Sequence, residues 1–337
     1  MNYLSVGDMA LQFRLRQHNV SLKQEMSTLS KELMTGVHSD IGKALGGDMT
    51  ALASINKQLR ALQSYDTAVS EAATLTGSMQ SSLEVIQALT GDVGVSLLSA
   101  ATTTNSIIID ATAKDAAAKF QTLVATLNTN VAGRYIFSGA ASDTRPLSSA
   151  SDILLELQTL VASETTASGV MTAVDDWFAA APGAGGFLDT AYAGSLTALG
   201  PVMTSDGETT DIPASAASPE IRQTLKGFAL STLISDGLFR SDLVEKASLA
   251  RLSGETIVAA QTSLADLRAD LGTSEALIED AKARNTAETH SLELARLSMI
   301  GVDEFDTASA LNALQTQLET LYTLTARMTD LSLVDYI

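Results

Sequence analysis

A seven-residue repeat of apolar residues in the last third of the chain places the strongest constraint on its fold. From Leu243 to Met299 an apolar residue recurs at every seventh position, with one polar interruption at Asn285. The series is Leu243, Ala250, Ile257, Leu264, Leu271, Ile278, Leu292 and Met299, and the companion positions hold Ala260, Leu267, Ala281 and Ala295. Because this spacing keeps one face of a long helix turned towards a partner helix, it predicts a coiled-coil-like seam.

Asn285 allows two interpretations at this stage. A polar residue within an apolar seam often fixes the register of two helices, at a cost in stability. Alternatively, the seam drifts around the helix and leaves Asn285 in solvent. Both interpretations stay open on the sequence.

Each end of the chain carries an apolar stripe with helical spacing. The N-terminal stripe consists of Leu4, Leu11, Leu15, Leu22, Met26, Leu29 and Leu33, and the C-terminal stripe consists of Leu311, Leu314, Leu318, Leu321 and Met328. Steps of three, four and seven residues place each set on one face of a helix. Neither helix buries its stripe alone, so we expect the two ends of the chain to pack against each other.

Prolines divide the chain. All five lie between residues 146 and 219, at Pro146, Pro182, Pro201, Pro213 and Pro219, and the single tryptophan, Trp177, lies there too. Since proline interrupts helices, this confinement predicts an inserted domain within a proline-free shaft. The predicted domains are terminal helices at 1–47 and 302–337, a helical shaft at 48–145 and 240–301, and an insertion at 146–239. The expected fold is mainly α, with long antiparallel helices from both termini forming a coiled-coil-like shaft and a small mixed α/β domain inserted in the middle.

Shorter patterns predict the local elements. A helix is expected to begin near Thr50, after a glycine-rich loop, and Gly91 and Gly94 predict a bend or a close packing contact near its end. Strand formers between glycines predict a short strand at Tyr135–Phe137. The remaining predictions are helices at Ile153–Val161 and Val170–Phe178, a hairpin from Val202 to Ile212 turning at Asp206-Gly207, and a helix opened by Ser218 and Pro219.

Composition and charge exclude several classes of protein. A net charge of -18 disfavours a nucleic-acid surface or a polybasic membrane anchor, and the absence of cysteine excludes disulfides and thiolate sites. No apolar run approaches the roughly 20 residues that a bilayer span needs, so membrane insertion is not expected. Residues 1–20 contain Asp8, Arg14 and Arg16, which argues against a cleavable signal peptide.

No pattern of catalytic or metal-binding residues emerges. The three histidines, His18, His38 and His290, lack metal-ligand spacing. Asp175 and Asp176 are adjacent, and adjacent residues on a helix point about 100° apart, so the two carboxylates do not converge. The sequence therefore predicts no enzyme, no cofactor and no metal site.

Two stretches resemble a known family. Gly133–Gly139 reads GRYIFSG and is followed by Thr144-Arg145-Pro146, and the chain ends in LSLVDYI at Leu331–Ile337. Together with long terminal helices, these stretches resemble the flagellin superfamily of bacterial flagellar axial proteins, and within it the hook–filament junction proteins. Residues 35–48 depart from the family, because Gly46-Gly47-Asp48 replaces the usual Ser-Gly…Asp-Asp-Pro pattern.

The resemblance implies a structural role outside the cell, in the bacterial flagellum. It implies a protein that is exported by the type III apparatus with a chaperone, forms a ring between hook and filament, and templates flagellin assembly. Its implied partners are further copies of itself, the other hook–filament junction protein and flagellin, and the two apolar stripes become its assembly interface. Two alternatives remain open: flagellin itself, and a cytoplasmic coiled-coil scaffold or signalling protein.

Overall fold

The computed structural model describes residues 6–103 and 105–334, and the side chains of residues 10–103 and 105–327. The helices in these ranges are α1 Val6–Thr35, α2 Ile41–Ala44, α3 Thr50–Thr102, α4 Ser106–Leu127, α5 Ala150–Leu160, α6 Ala167–Ala179, α7 Phe187–Thr190, α8 Pro219–Ser235, α9 Leu243–Ile300 and α10 Glu304–Val334. The strands are β1 Asn130–Val131, β2 Arg134–Tyr135, β3 Leu199–Ser205 and β4 Glu208–Ile212. Long helices that pack against each other, with two small antiparallel hairpins, confirm the predicted fold class.

The chain forms two compact units. Unit 1 comprises residues up to Leu62 and from Ala287, and unit 2 comprises Gln63–Thr286. Unit 2 has one continuous apolar core, in which Leu83 and Leu271 from the long helices join Leu157 and Phe187 from the segment 146–239. The predicted division into three domains stays a prediction.

The predicted seam lies on α9 and is buried in its central part. Ala250, Ile257, Leu264, Leu271 and Ile278 are all 0% exposed, which confirms the seam within unit 2. The prediction is wrong at the ends of the series, where Leu243 is 37% exposed and Ala295 is also exposed. An ideal helix drifts by about 20° per heptad from a seven-residue repeat, which rotates the ends of a long stripe away from the core.

Glycines let three helices of unit 2 approach closely. A Cβ atom on Gly254 of α9 would lie 2.9 Å from the Gly94 carbonyl oxygen of α3, and one on Gly227 of α8 would lie 2.5 Å from Ile257 Cγ1. Any side chain at these positions would separate the helices. The predicted close packing contact is therefore confirmed at Gly94, whereas Gly91 has ordinary van der Waals surroundings.

Arg268 joins α9 to α3 in a fixed register. Its Nε donates to Gln80 Oε1 at 3.0 Å, and Gln80 Nε2 donates back to the Arg268 carbonyl oxygen at 3.0 Å. One of its terminal nitrogens also donates to Gln87, two turns along α3. Since an apolar seam alone tolerates slippage, this polar contact selects one alignment of the two antiparallel helices.

Asn285 follows neither interpretation that the sequence left open. It is 3% exposed, and its Nδ2 donates to the carbonyl oxygen of Thr204 in β3 at 2.8 Å. The neighbouring Arg284 forms an ion pair with Glu208 of β4 at 2.9 Å. Asn285 therefore attaches the hairpin to α9 rather than setting the register of two helices.

We expect Asn285→Ala to destabilise unit 2 by about 1–3 kcal/mol, because it leaves the Thr204 carbonyl oxygen without its donor in a buried place. The matched control is Arg284→Ala, which removes an ion pair whose side chains are 58% and 59% exposed and should cost at most about 1 kcal/mol. Urea denaturation measures both, and hydrogen exchange at β3 and β4 locates the effect. Equal losses in the two variants would contradict this role of Asn285.

The predicted strand at Tyr135–Phe137 is wrong in extent. Only Tyr135 lies in a strand, β2, while Ile136 and Phe137 are 3% and 0% exposed in the core beyond it. The Phe137 carbonyl oxygen accepts from the amide of Ala216 at 2.9 Å, outside any strand pairing. These two residues are apolar because they fill the core, and their strand propensity is overridden by that burial.

The other local predictions hold. Helix α6 covers the stretch expected for it, and α5 covers its stretch except for Val161, which follows the helix. Strands β3 and β4 turn at Asp206-Gly207, where Gly207 adopts a φ of 78°. Ser218 precedes α8 as expected but makes no capping hydrogen bond, because its hydroxyl accepts from the amide of Ser215 at 3.0 Å.

Helix α3 corrects the expectation about apolar runs. An 18-residue window in it has a mean hydropathy of 1.3, which by length and composition is enough to cross a membrane. Met79, Leu83 and Leu97 of this helix are 0% exposed in the core of unit 2. The window is 33% buried, so core packing accounts for part of the apolar composition of α3.

Candidate assembly interface

The two terminal helices form an antiparallel pair in unit 1. Leu22 of α1 is buried with Leu314, Leu318 and Leu321 of α10, and all four are 4–9% exposed. Leu15, Met26 and Leu29 of α1 pack against this cluster. Burying one such side chain is worth about 1.5–3 kcal/mol, so the cluster holds the pair together.

Seven of the twelve predicted interface residues lie in or against this cluster. Leu11, Leu33 and Leu311 are half-buried outside the buried cluster. Leu4 and Met328 lie outside the described side chains. The helical period therefore identified the contacting face of both helices.

A short backbone bridge closes the end of this helix pair. The amide of Val302 donates to the Gly36 carbonyl oxygen at 3.1 Å, and the amide of His38 donates to the Ile300 carbonyl oxygen at 2.9 Å. The buried carboxylate of Glu32 accepts from the amide of Ser39 at 2.7 Å. The end of α1 is thus fixed beside the start of α10, where the sequence predicted only a loop.

A polar contact across the pair was missed by the sequence analysis. Lys23 Nζ lies 5.8 Å from the ring centroid of Tyr322. Hydrogen bonds from Lys23 and then from Asn19 lower the pKa of the Tyr322 phenol below its usual value. The apolar period gives no signal for such a contact, because its members lie beside the stripes.

Beyond their shared cluster, the terminal helices expose further apolar residues. Phe13 and Val20 of α1 are 68% and 54% exposed, and Leu324 of α10 is 49% exposed. Two grooves run between the helices. The larger, about 460 Å³, is lined by Gln12, Leu15, Arg16, Asn19, Val20, Tyr322 and Thr325, and the smaller, about 290 Å³, is lined by His18, Thr316, Gln317, Thr320, Leu321 and Leu324. These exposed apolar residues are the candidates for a contact with another protein.

The two helices differ in charge. Among the described side chains, α1 has four cations and two anions, whereas α10 has one cation and three anions. The cations of α1 are Arg14, Arg16, Lys23 and Lys31, and the anions of α10 are Glu304, Asp306 and Glu319. The helix pair therefore offers both signs of charge on its surface.

The other candidate residues do not form a chemical site. His18 and His290 are exposed, and His38 Nδ1 lies 4.0 Å from Glu32 Oε1. Asp175 pairs with Lys226. Within the described ranges no three His, Cys, Asp or Glu side chains are placed to hold a metal ion.

Comparisons with known proteins give a family match and similar solved structures. Residues 255–337 match the family model for the bacterial flagellin C-terminal helical region. A solved structure described as that of a flagellar hook-associated protein from Vibrio parahaemolyticus is similar at 14% sequence identity and a TM-score of 0.40, over 73% of this chain and 99% of that one. A likeness of this size carries no argument by itself. No curated protein matches.

Proposed function

We propose, from the flagellin C-terminal helical region at residues 255–337, that this chain is a structural axial protein of the bacterial flagellum. The observation that carries the proposal is that this region ends in α10, whose apolar stripe pairs with α1. The pair still leaves Phe13, Val20 and Leu324 exposed. Burial of such surface against neighbouring subunits would offset the conformational entropy that the terminal helices lose when they become fixed in the assembly.

Within that class we propose the junction between hook and filament, the role of hook-associated protein 3. The motif at Gly133–Gly139 and the ending at Leu331–Ile337 support this finer assignment. The partners would be further copies in a ring, the other hook–filament junction protein and flagellin, which the ring would template. Export through the flagellar type III apparatus, with a chaperone, would deliver the chain to the outside of the cell.

The test is deletion of this gene in the parent bacterium. We expect non-motile cells whose hooks lack filaments and whose medium contains unpolymerised flagellin, because nothing templates the filament. A flagellin would behave differently: its deletion would remove the most abundant axial protein from the medium. A cytoplasmic scaffold would leave flagella in place and would not be secreted.

A further inference from the structure

We infer that copies of this chain associate head to tail through two surfaces of unit 1. The first surface, the acidic turn, consists of residues 303–306 at the start of α10. The second, the cationic groove, is the 460 Å³ groove between α1 and α10 that contains Arg16. This inference rests on the proposed function, since it specifies how one subunit would contact the next.

The acidic turn presents an aromatic ring among carboxylates. Phe305 is 80% exposed, and Asp303, Glu304 and Asp306 are exposed around it. The turn is held in shape because Asp303 Oδ1 accepts from the amide of Asp306 at 3.0 Å. Within the described side chains, neither Glu304 nor Asp306 takes part in an ion pair. A rigid, exposed ring with unpaired carboxylates is a surface suited to an apolar groove with a positive rim.

The cationic groove has the complementary composition. Leu15 and Val20 supply apolar walls, and Tyr322 forms the opposite side. Arg16 lines the groove without an ion pair among the described side chains, and Lys23 lies over the Tyr322 ring. The groove thus offers an apolar floor for a ring and the guanidinium of Arg16 for a carboxylate, with Lys23 beside it on Tyr322.

The distance between the two surfaces shows which chain supplies the acidic turn to the cationic groove. The acidic turn precedes Tyr322 by 17 residues of the same helix, or about 26 Å at 1.5 Å per residue. A chain therefore cannot place its own acidic turn in its own groove, and a second copy must supply it. Pairing of two grooves would bring the Arg16 side chains of two copies together, so like charges would repel. A contact between the acidic turn of one copy and the groove of the next is therefore favoured, and such heterologous contacts build rings or open chains.

The absence of cysteine makes a direct cross-linking test possible. Two full-length variants are prepared, Gln12→Cys at the groove and Ser309→Cys one helical turn after Phe305. Mixed and treated with a bifunctional thiol cross-linker, they should give covalent heterodimers, while each variant alone should give at least about tenfold less dimer. Strong dimer formation by Gln12→Cys alone would show groove-to-groove pairing and overturn the inference, as would no cross-linking in the mixture.

Charge exchange tests the chemistry of the contact. Arg16→Glu in the first variant, or Glu304→Lys in the second, should lower the heterodimer yield about tenfold, and the two changes together should restore it. Glu288→Lys, at an exposed carboxylate of α9, is the matched control and should leave the yield unchanged. Circular dichroism checks that each variant folds. Yield should also fall between about 50 mM and 500 mM salt, since salt screens exposed charges.

The outcomes separate this inference from the proposed function. If the deletion strain secretes flagellin and no charge exchange alters cross-linking, the junction role stands and the contact lies elsewhere. If cross-linking follows the expected pattern in a chain whose deletion leaves flagella intact, head-to-tail association stands and the junction role fails. A groove that accepts only flagellin would leave the mixture of the two variants without cross-links, which would overturn the inference.

Discussion

Leu318→Asp combined with Leu321→Asp is expected to abolish motility while leaving the free energy of unfolding of unit 2 unchanged. The two leucines are 9% and 8% exposed in the cluster that joins α1 to α10. Burying each is worth about 1.5–3 kcal/mol, and two buried carboxylates cost more than that gain. Swimming assays measure motility, and immunoblots of the medium show whether flagellin escapes.

The matched control adds the same two charges to α10 at exposed positions, as Gln315→Asp with Thr323→Asp. These cells should secrete a chain that retains its helix pair. Normal swimming by the Leu318 and Leu321 variant would show that the terminal pair is dispensable, and the proposed assembly interface would then be wrong.

Leu264→Asp or Leu271→Asp is expected to destabilise unit 2 by several kcal/mol. Both leucines are 0% exposed in the seam of α9, so each substitution places an unpaired carboxylate in the core. Urea denaturation followed by circular dichroism gives the change in unfolding free energy.

Leu277→Asp is the control for that experiment, because it makes the same chemical change on the same helix at a side chain that is 52% exposed. Asp266→Ala, also on the exposed face of α9, should likewise cost little. Similar losses at Leu264 and Leu277 would refute the buried face assigned to α9.

The parts of this fold that depend on the spacing of apolar residues along a helix were predictable from the sequence. Leu22 and Leu318 lie where their stripes predicted, because a helix of 3.6 residues per turn converts sequence spacing directly into a face. The seam through Leu264 was predictable too, because it follows from the spacing of residues within the single helix α9. Gly94 also gave a usable signal, since a glycine in a long helix indicates a close approach.

The parts that depend on distant partners were not predictable. Asn285 bonds to Thr204, 81 residues away, and nothing near Asn285 in the sequence identifies that partner. The contact between Lys23 and Tyr322 was unpredictable for the same reason, because it joins opposite ends of the chain. In the candidate interface, the apolar faces were therefore found and the polar contacts beside them were missed.

The segment between the first and last proline also contributes side chains to the core of unit 2. Proline reports where helices are interrupted, and it gives no information about which core a segment joins. Removing Ser149–Pro213 would take Leu157, Trp177 and Phe187 out of the core of unit 2. We expect such a deletion to unfold unit 2, because it removes large apolar side chains from that core.

The shared core also determines where foreign peptides are tolerated. Residues 146–239 cannot be exchanged as a cassette, because their apolar side chains complete the packing of α3 and α9. A loop within the segment offers an insertion point instead: Gly183 and Gly185 have positive φ angles and no atoms near their missing side chains, and their amides are held by Asp189 at 2.8 Å and 2.7 Å. An epitope carried between these glycines would leave the core intact, which makes this loop the natural attachment point for antigen display.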